Sequence, residues 1–126
     1  MIEKILLMNP PVGLFQRGEE RCQADVEGGS AISLRPPNNL LYLASILREL
    51  GKKPIVRDYP VEKDKNFLDD LKNYDFDMII ISITTGTIED DLLYLKIAKE
   101  YNENIITIAE GAHFITAPIE SFNKEI

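Results

Sequence analysis

Residues 76–87, FDMIIISITTGT, decide how the rest of the chain is read. Met78-Ile79-Ile80-Ile81 is a continuous apolar run, rich in β-branched residues and without polar alternation. Such a run suits a strand covered on both faces, in the middle of a parallel sheet. A helix is the competing reading of a short apolar run. The β-branched cluster and the small polar exit Ser82-Ile83-Thr84-Thr85-Gly86-Thr87 disfavour it. Hydroxyls and a glycine where a central strand ends are what a ligand site in an open α/β sheet requires. The same residues allow a simpler role, in which Thr87 caps the next helix and Asp90 completes a Thr-x-x-Asp capping box.

The frame around that stretch is one domain, because 126 residues support a single hydrophobic core. No run approaches a membrane span, and Met1-Ile2-Glu3-Lys4 does not open a signal peptide, so the cytoplasm is the expected compartment. The one cysteine, Cys22, leaves no internal disulfide and no multi-cysteine metal cluster. A net charge of −7 without a basic cluster argues against nucleic acid as a partner.

Upstream, Ile5-Leu6-Leu7-Met8 reads as a second buried strand, ended sharply by Asn9-Pro10-Pro11. Residues 12–37 carry no sustained period and form a long loop, either a lid or binding loop or a plain insertion. The spacing of Leu40, Leu43, Ala44, Leu47 and Leu50 then predicts a helix, with Asn38 or Asn39 capping its start and Gly51 closing it. Pro54–Asp58 is a short strand, and residues 64–73 a second helix with Phe67, Leu68 and Leu71 inward. After the central strand, a helix over 87–101 buries Ile88, Leu92, Leu95 and Ala98. A fourth strand covers Asn104–Ile108, and Pro118–Lys124 starts a fourth helix.

This β-α-β-α-β-α-β-α alternation implies a flavodoxin-like, Rossmann-like α/β fold: an open parallel sheet in the order 2-1-3-4, with helices on both faces and right-handed crossovers. It places Asn9-Pro10, Ser82–Thr87 and Glu110–His113 along one edge. A fifth strand is missing from the sequence. That would leave Asn104–Ile108 as a sheet edge open to pairing with a second copy.

Three ligand classes use such an edge. A phosphoryl-accepting receiver needs acidic residues after the first strand and an aspartate ending the third; Asn9-Pro10-Pro11 and Ser82-Ile83-Thr84 stand there instead. A flavodoxin-like FMN carrier is the alternative, since Thr84-Thr85-Gly86-Thr87 is similar to a flavin-phosphate loop at a helix N-terminus. That loop follows the third strand here, whereas in flavodoxins it follows the first. A non-binding interaction domain is a further reading.

The third ligand class fits best. Asn9-Pro10-Pro11, then Pro36-Pro37-Asn38-Asn39-Leu40-Leu41-Tyr42-Leu43-Ala44, then Gly111-Ala112-His113-Phe114-Ile115-Thr116-Ala117-Pro118 occur in that order. Together they resemble the N-terminal cobalamin-binding domain of radical S-adenosylmethionine enzymes. The resemblance implies a cofactor across the sheet edge, contacted by Asn9, Pro10, Ser82, Thr84, Thr85, Gly86, Gly111, Ala112 and His113. Its nucleotide tail would enter near Ser82 and Thr84, which are expected to project from one face, and Gly111 would allow close approach. Ala112 stands where the family usually has a second glycine. The cobalt-ligating Asp-x-His-x-x-Gly signature of cobalamin mutases is absent, and His113, the one histidine, stands on a different strand exit, so no metal ligand is expected from this chain. The radical chemistry needs three cysteines for an iron–sulfur cluster. The resemblance therefore implies that the 4Fe–4S cluster, S-adenosylmethionine and catalysis belong to a radical S-adenosylmethionine domain in a larger parent chain or in trans.

Overall fold

A computed structural model of the chain describes residues 1–13, 15–16, 24–25, 35–111 and 114. The elements are β1 (Lys4–Asn9), β2 (Phe15–Gln16), β3 (Ala24–Asp25), α1 (Asn38–Glu49), β4 (Lys53–Asp58), α2 (Phe67–Asn73), β5 (Met78–Ser82), α3 (Ile88–Tyr101) and β6 (Ile106–Glu110). Four strands form one sheet in the order β4-β1-β5-β6, every pair parallel. This is the flavodoxin-like order, with β1 and β5 adjacent at the centre. Segment 12–37, read as a loop without elements, contains one short antiparallel pairing of β2 with β3.

The apolar runs are continuous because both faces of the central strands are covered. Ile5, Leu7 and Ile80 pack on one face with Leu40 and Ala44 of α1. Leu6, Met8, Ile79 and Ile81 point to the other, against Phe67 and Leu71 of α2 and Leu92, Leu95 and Ala98 of α3. Successive side chains of a strand alternate between faces, so one run serves two cores. Among the described residues, no helix is long and apolar enough to cross a membrane.

Several expected boundaries shift for local reasons. Leu50 is 66% exposed rather than inward. The chain reverses there: Lys52 N–H bonds Leu47 O, Gly51 N–H bonds Arg48 O, and Gly51 takes φ +77°. That is a Schellman end, which turns the backbone before Leu50 can reach the sheet. Asn38 and Asn39 lie inside the first turn of α1 and do not cap it; Pro37 holds the cap position without a side-chain bond. α2 begins at Phe67 rather than near Asp64, because Asn66 accepts the Asp69 N–H at 3.1 Å. Leu68 consequently faces outward, half-exposed. β6 runs two residues later than the expected Asn104–Ile108, since Asn102 and Asn104 are spent on a turn. The expected helix at Pro118–Lys124 lies outside the described residues.

α2 is fastened to β4 by a buried charge cluster. Arg57 Nε donates to Asp70 Oδ2 at 3.0 Å, and the Tyr59 hydroxyl donates to the same oxygen at 2.7 Å. Burial, with the Asp70 hydrogen bond, pushes the Tyr59 phenol far up, so it stays a donor. Asp70→Ala should cost about 3–5 kcal/mol, because it removes the shared acceptor of the part-buried Arg57 guanidinium and the buried Tyr59 hydroxyl. Tyr59→Phe leaves the ion pair and should cost only about 1.5–3 kcal/mol. Urea unfolding of both variants checks the order; a larger loss for Tyr59→Phe would contradict it.

Candidate functional site

The strand exits of β1, β5 and β6 and the first turns of α1 and α3 converge on the C-terminal edge of the sheet. Two polar clusters form there, and they divide the hydroxyls that the sequence assigns to one face. Ser82 is the last residue of β5 and alternates onto the Ile80 side, where α1 packs. β5 ends at Ser82, so strand alternation does not carry on to Thr84. Thr84 turns instead toward α3.

In the first cluster, Ser82 and Glu110 are register partners in the final pair of β5 with β6. The Glu110 carboxylate accepts a hydrogen bond at 3.0 Å from Asn39 Nδ2. Asn39 is therefore used across the fold, tying the start of α1 to the exit of β6. Burial pushes the Glu110 carboxyl above its ordinary range, against the pull of the neighbouring Ser82 hydroxyl and the Asn39 amide.

In the second cluster, Thr87 Oγ1 donates to Asp91 Oδ2 at 2.6 Å, and Thr84 Oγ1 and Thr87 Oγ1 are 2.9 Å apart. The Thr84 N–H points to the same carboxylate oxygen at 3.5 Å. A hydroxyl has one proton, and that of Thr87 goes to Asp91, so Thr84 must be the donor to Thr87. At 2.6 Å the Thr87–Asp91 contact is a short hydrogen bond. The expected capping box with Asp90 is absent: Thr87 makes no side-chain bond to the helix backbone, and its partner is Asp91, one residue later. This arrangement also disfavours the FMN loop. The Thr84 and Thr87 hydroxyls are committed inward, and Glu89, Asp90 and Asp91 crowd the first turn where a phosphate would sit.

Asn9 ends β1, 2% exposed, and its Nδ2 donates to Asp58 Oδ1 at 3.3 Å. Its Oδ1 is buried without a hydrogen-bond partner among the described residues. Pro10 beside it is also buried. Thr85 and Gly86 are exposed, and a Cβ on Gly86 would meet nothing within 4 Å. Gly111 is different. It takes φ +146°, and a Cβ there would lie 2.1 Å from the Ile83 carbonyl oxygen. The close approach that requires glycine is to the chain's own backbone, so a fold left intact after Gly111→Val is not to be expected. Ala112 and His113 lie outside the described residues. Asn39, Asp58, Asp91 and the role of Glu110 were not legible in sequence; only the Thr87–Asp91 spacing of four, one helical turn, hinted at any of them.

Residues 28–125 match the family described as the B12 binding domain, and the chain belongs to that family. Cobalamin is the cofactor this membership indicates. The chain is also 32% identical, over 120 residues, to an uncharacterized methyltransferase of Pyrococcus horikoshii (PH0819). The similarity covers 93% of this chain but only 23% of that protein, so the chain spans about a quarter of its relative. No solved structure gives a significant match. The edge fits a corrinoid: the buried, partnerless Asn9 Oδ1 is an acceptor suited to the amide N–H groups on the ring periphery. Among the described residues, no His, Cys, Asp and Glu cluster could hold a metal ion.

Two expectations follow from this geometry. Gly111→Ala should destabilise the chain by about 1–3 kcal/mol through forced φ and overlap with Ile83, measured by thermal or urea unfolding; an unchanged midpoint would refute it. Glu110 has a raised folded value, so its contribution to stability is full at acidic pH and is lost as pH rises through that value. Wild-type stability relative to Glu110→Gln should therefore fall with rising pH just above the ordinary carboxylate range. A flat difference there would mean that Glu110 titrates as it does in the unfolded chain.

Proposed function

We propose that this chain binds and orients cobalamin for a radical S-adenosylmethionine-type catalytic domain, carried by the same parent chain or supplied in trans. The observation that carries the reading is the polar C-terminal edge of a B12-binding fold, where Asn9 brings a buried acceptor to the exit of a central strand. The ordered Asn-Pro-Pro, Pro-Pro-Asn-Asn-Leu and Gly-Ala-His-Phe-Ile-Thr segments support the radical S-adenosylmethionine context. The methyltransferase name of a relative four times as long supports a parent reaction of methyl transfer.

When bound, cobalamin supplies a cobalt centre that can carry a methyl group and exchange electrons. This chain's part is positioning. Asn9 and Pro10 close the β1 exit, Ser82 and Thr84 offer hydroxyl oxygens on the two sides of β5, and Thr85 and Gly86 leave open room above it. Gly111 completes the rim at the β6 exit, and the family resemblance adds Ala112 and His113 as further cofactor contacts. The 4Fe–4S cluster and S-adenosylmethionine belong to the catalytic domain. Cytoplasmic placement and self-association through β6, whose Ile106 and Ile108 are 42% and 38% exposed, extend the same proposal.

Purified chain titrated with hydroxocobalamin should shift the corrin absorption bands and reach saturation at one equivalent, while FMN should leave its own spectrum unchanged. Asn9→Leu removes the buried acceptor and should weaken corrinoid binding by one hydrogen bond, about 0.5–1.5 kcal/mol. Saturable FMN binding with no response to hydroxocobalamin would overturn the reading.

A further inference from the structure

Asn9 and Asp58 are register partners at the ends of β1 and β4, and Asn9 Nδ2 donates to Asp58 Oδ1 at 3.3 Å. The turn after β4 holds that carboxylate in place. The Asp58 N–H donates to Glu62 Oε2 at 2.7 Å, and the Asp58 carbonyl accepts the Val61 and Glu62 N–H groups at 3.0 and 2.9 Å. The Tyr59 N–H reaches back to the Asn9 carbonyl at 3.3 Å, so the two backbones are joined where the side chains meet. An amide has a donor end and an acceptor end, whereas a carboxylate only accepts. Turning the Asn9 amide over would set oxygen against oxygen. Nδ2 must therefore face Asp58, and Oδ1 is the end left buried without a hydrogen-bond partner among the described residues.

We propose that Asp58 is a positioning residue of the corrinoid site: it fixes the Asn9 amide so that the β1 exit presents an acceptor, and thereby selects a corrin whose side arms end in amide N–H donors. This rests on the cobalamin-binding reading and adds to it the group that sets the polarity of the contact. A corrin with ester arms offers acceptors alone. At Asn9 it brings lone pairs to a lone pair, and a buried acceptor that stays unmatched is costly. Without the Asp58 carboxylate, the amide can turn over and offer Nδ2 to an ester carbonyl.

The full chain is titrated spectroscopically with dicyanocobyrinic acid heptaamide and with its heptamethyl ester, the same corrin with and without N–H donors. Asp58→Asn keeps the size of the side chain but can either accept from Asn9 or donate to it, so the Asn9 amide takes both orientations. The heptaamide should then lose no more than about twofold in affinity, the cost of sharing two orientations. The ester should gain roughly two- to tenfold, the scale of one hydrogen bond. In an Asn9→Leu background, Asp58→Asn should leave the ratio of the two affinities unchanged, because the amide it acts through is gone. Asp58→Ala frees the amide in the same way and takes the place of Asp58→Asn if circular dichroism shows that variant unfolded. A merely structural Asp58 would weaken both corrins alike; that result, or an ester gain that persists in Asn9→Leu, overturns the proposal. If hydroxocobalamin binds the wild type but the heptaamide does not, Asn9 does not hold a ring amide, and the proposal falls while the cobalamin reading stands. If hydroxocobalamin does not bind, both fall.

Discussion

Burial of Ile79, Ile80 and Ile81 on both faces of β5 is the constraint on which the rest depends. β5 lies between β1 and β6, so its backbone is paired on both sides while its side chains fill two cores. A slip of one residue would exchange the two cores, placing Ile79 and Ile81 under α1 and Ile80 under α3. The register is therefore locked, and with it the point where apolar burial gives way to hydroxyls. That point is Ser82. The parallel order then brings the exits of β1 and β6 alongside it, and the helices start from the same edge.

From this follows the division of the polar edge. Ser82 still obeys the alternation of the strand and sits on the α1 side; Thr84 lies beyond the strand and joins α3. A ligand touching both has to straddle the end of β5 rather than rest on one face of the sheet. The Thr84 hydroxyl is also oriented by a carboxylate, through Thr87 by Asp91. A low-dielectric setting strengthens such chains and fixes the direction of every proton in them. The edge is thereby polarised before any ligand arrives.

The parts of this arrangement legible in sequence are those that two-sided burial writes as local pattern. Continuous apolar runs announced β1 and β5, and helical spacing announced Leu40 and Ala44 on α1 and Leu92, Leu95 and Ala98 on α3. Spacing failed where a terminus redirected the chain, as at Leu50 beside the Gly51 turn and Leu68 after the Asn66 cap. The flanking glycine and asparagine were visible, but which of two neighbouring leucines they turn outward depends on the exact end of the helix. The site residues failed for a different reason. Asn39 and Glu110 are 71 positions apart, and only the register that sets Ser82 opposite Glu110 brings the three together. No local pattern carries that register. Asp91 rather than Asp90 takes Thr87 because a full helical turn stacks side chains four apart on one face, whereas a capping box needs Thr87 to bond backbone.

The contrast between two glycines shows how rigid the edge is. Gly86 has open space around it, so the loop after Thr84 keeps latitude toward solvent. Gly111 has none: its missing Cβ would fall on the Ile83 carbonyl, while the Ile83 N–H bonds the Glu110 carbonyl at 2.8 Å. Ile83 is thus gripped on both sides by the β6 exit. Its buried side chain adds a third anchor in the α3-side core. With that clamp in place, the backbones carrying Ser82 and Glu110 cannot separate without unpairing the end of the sheet. Any adjustment between them must come from side-chain rotation. Backbone close packing at Gly111 thereby fixes the spacing of Ser82 and Glu110, although Gly111 itself bears no functional group.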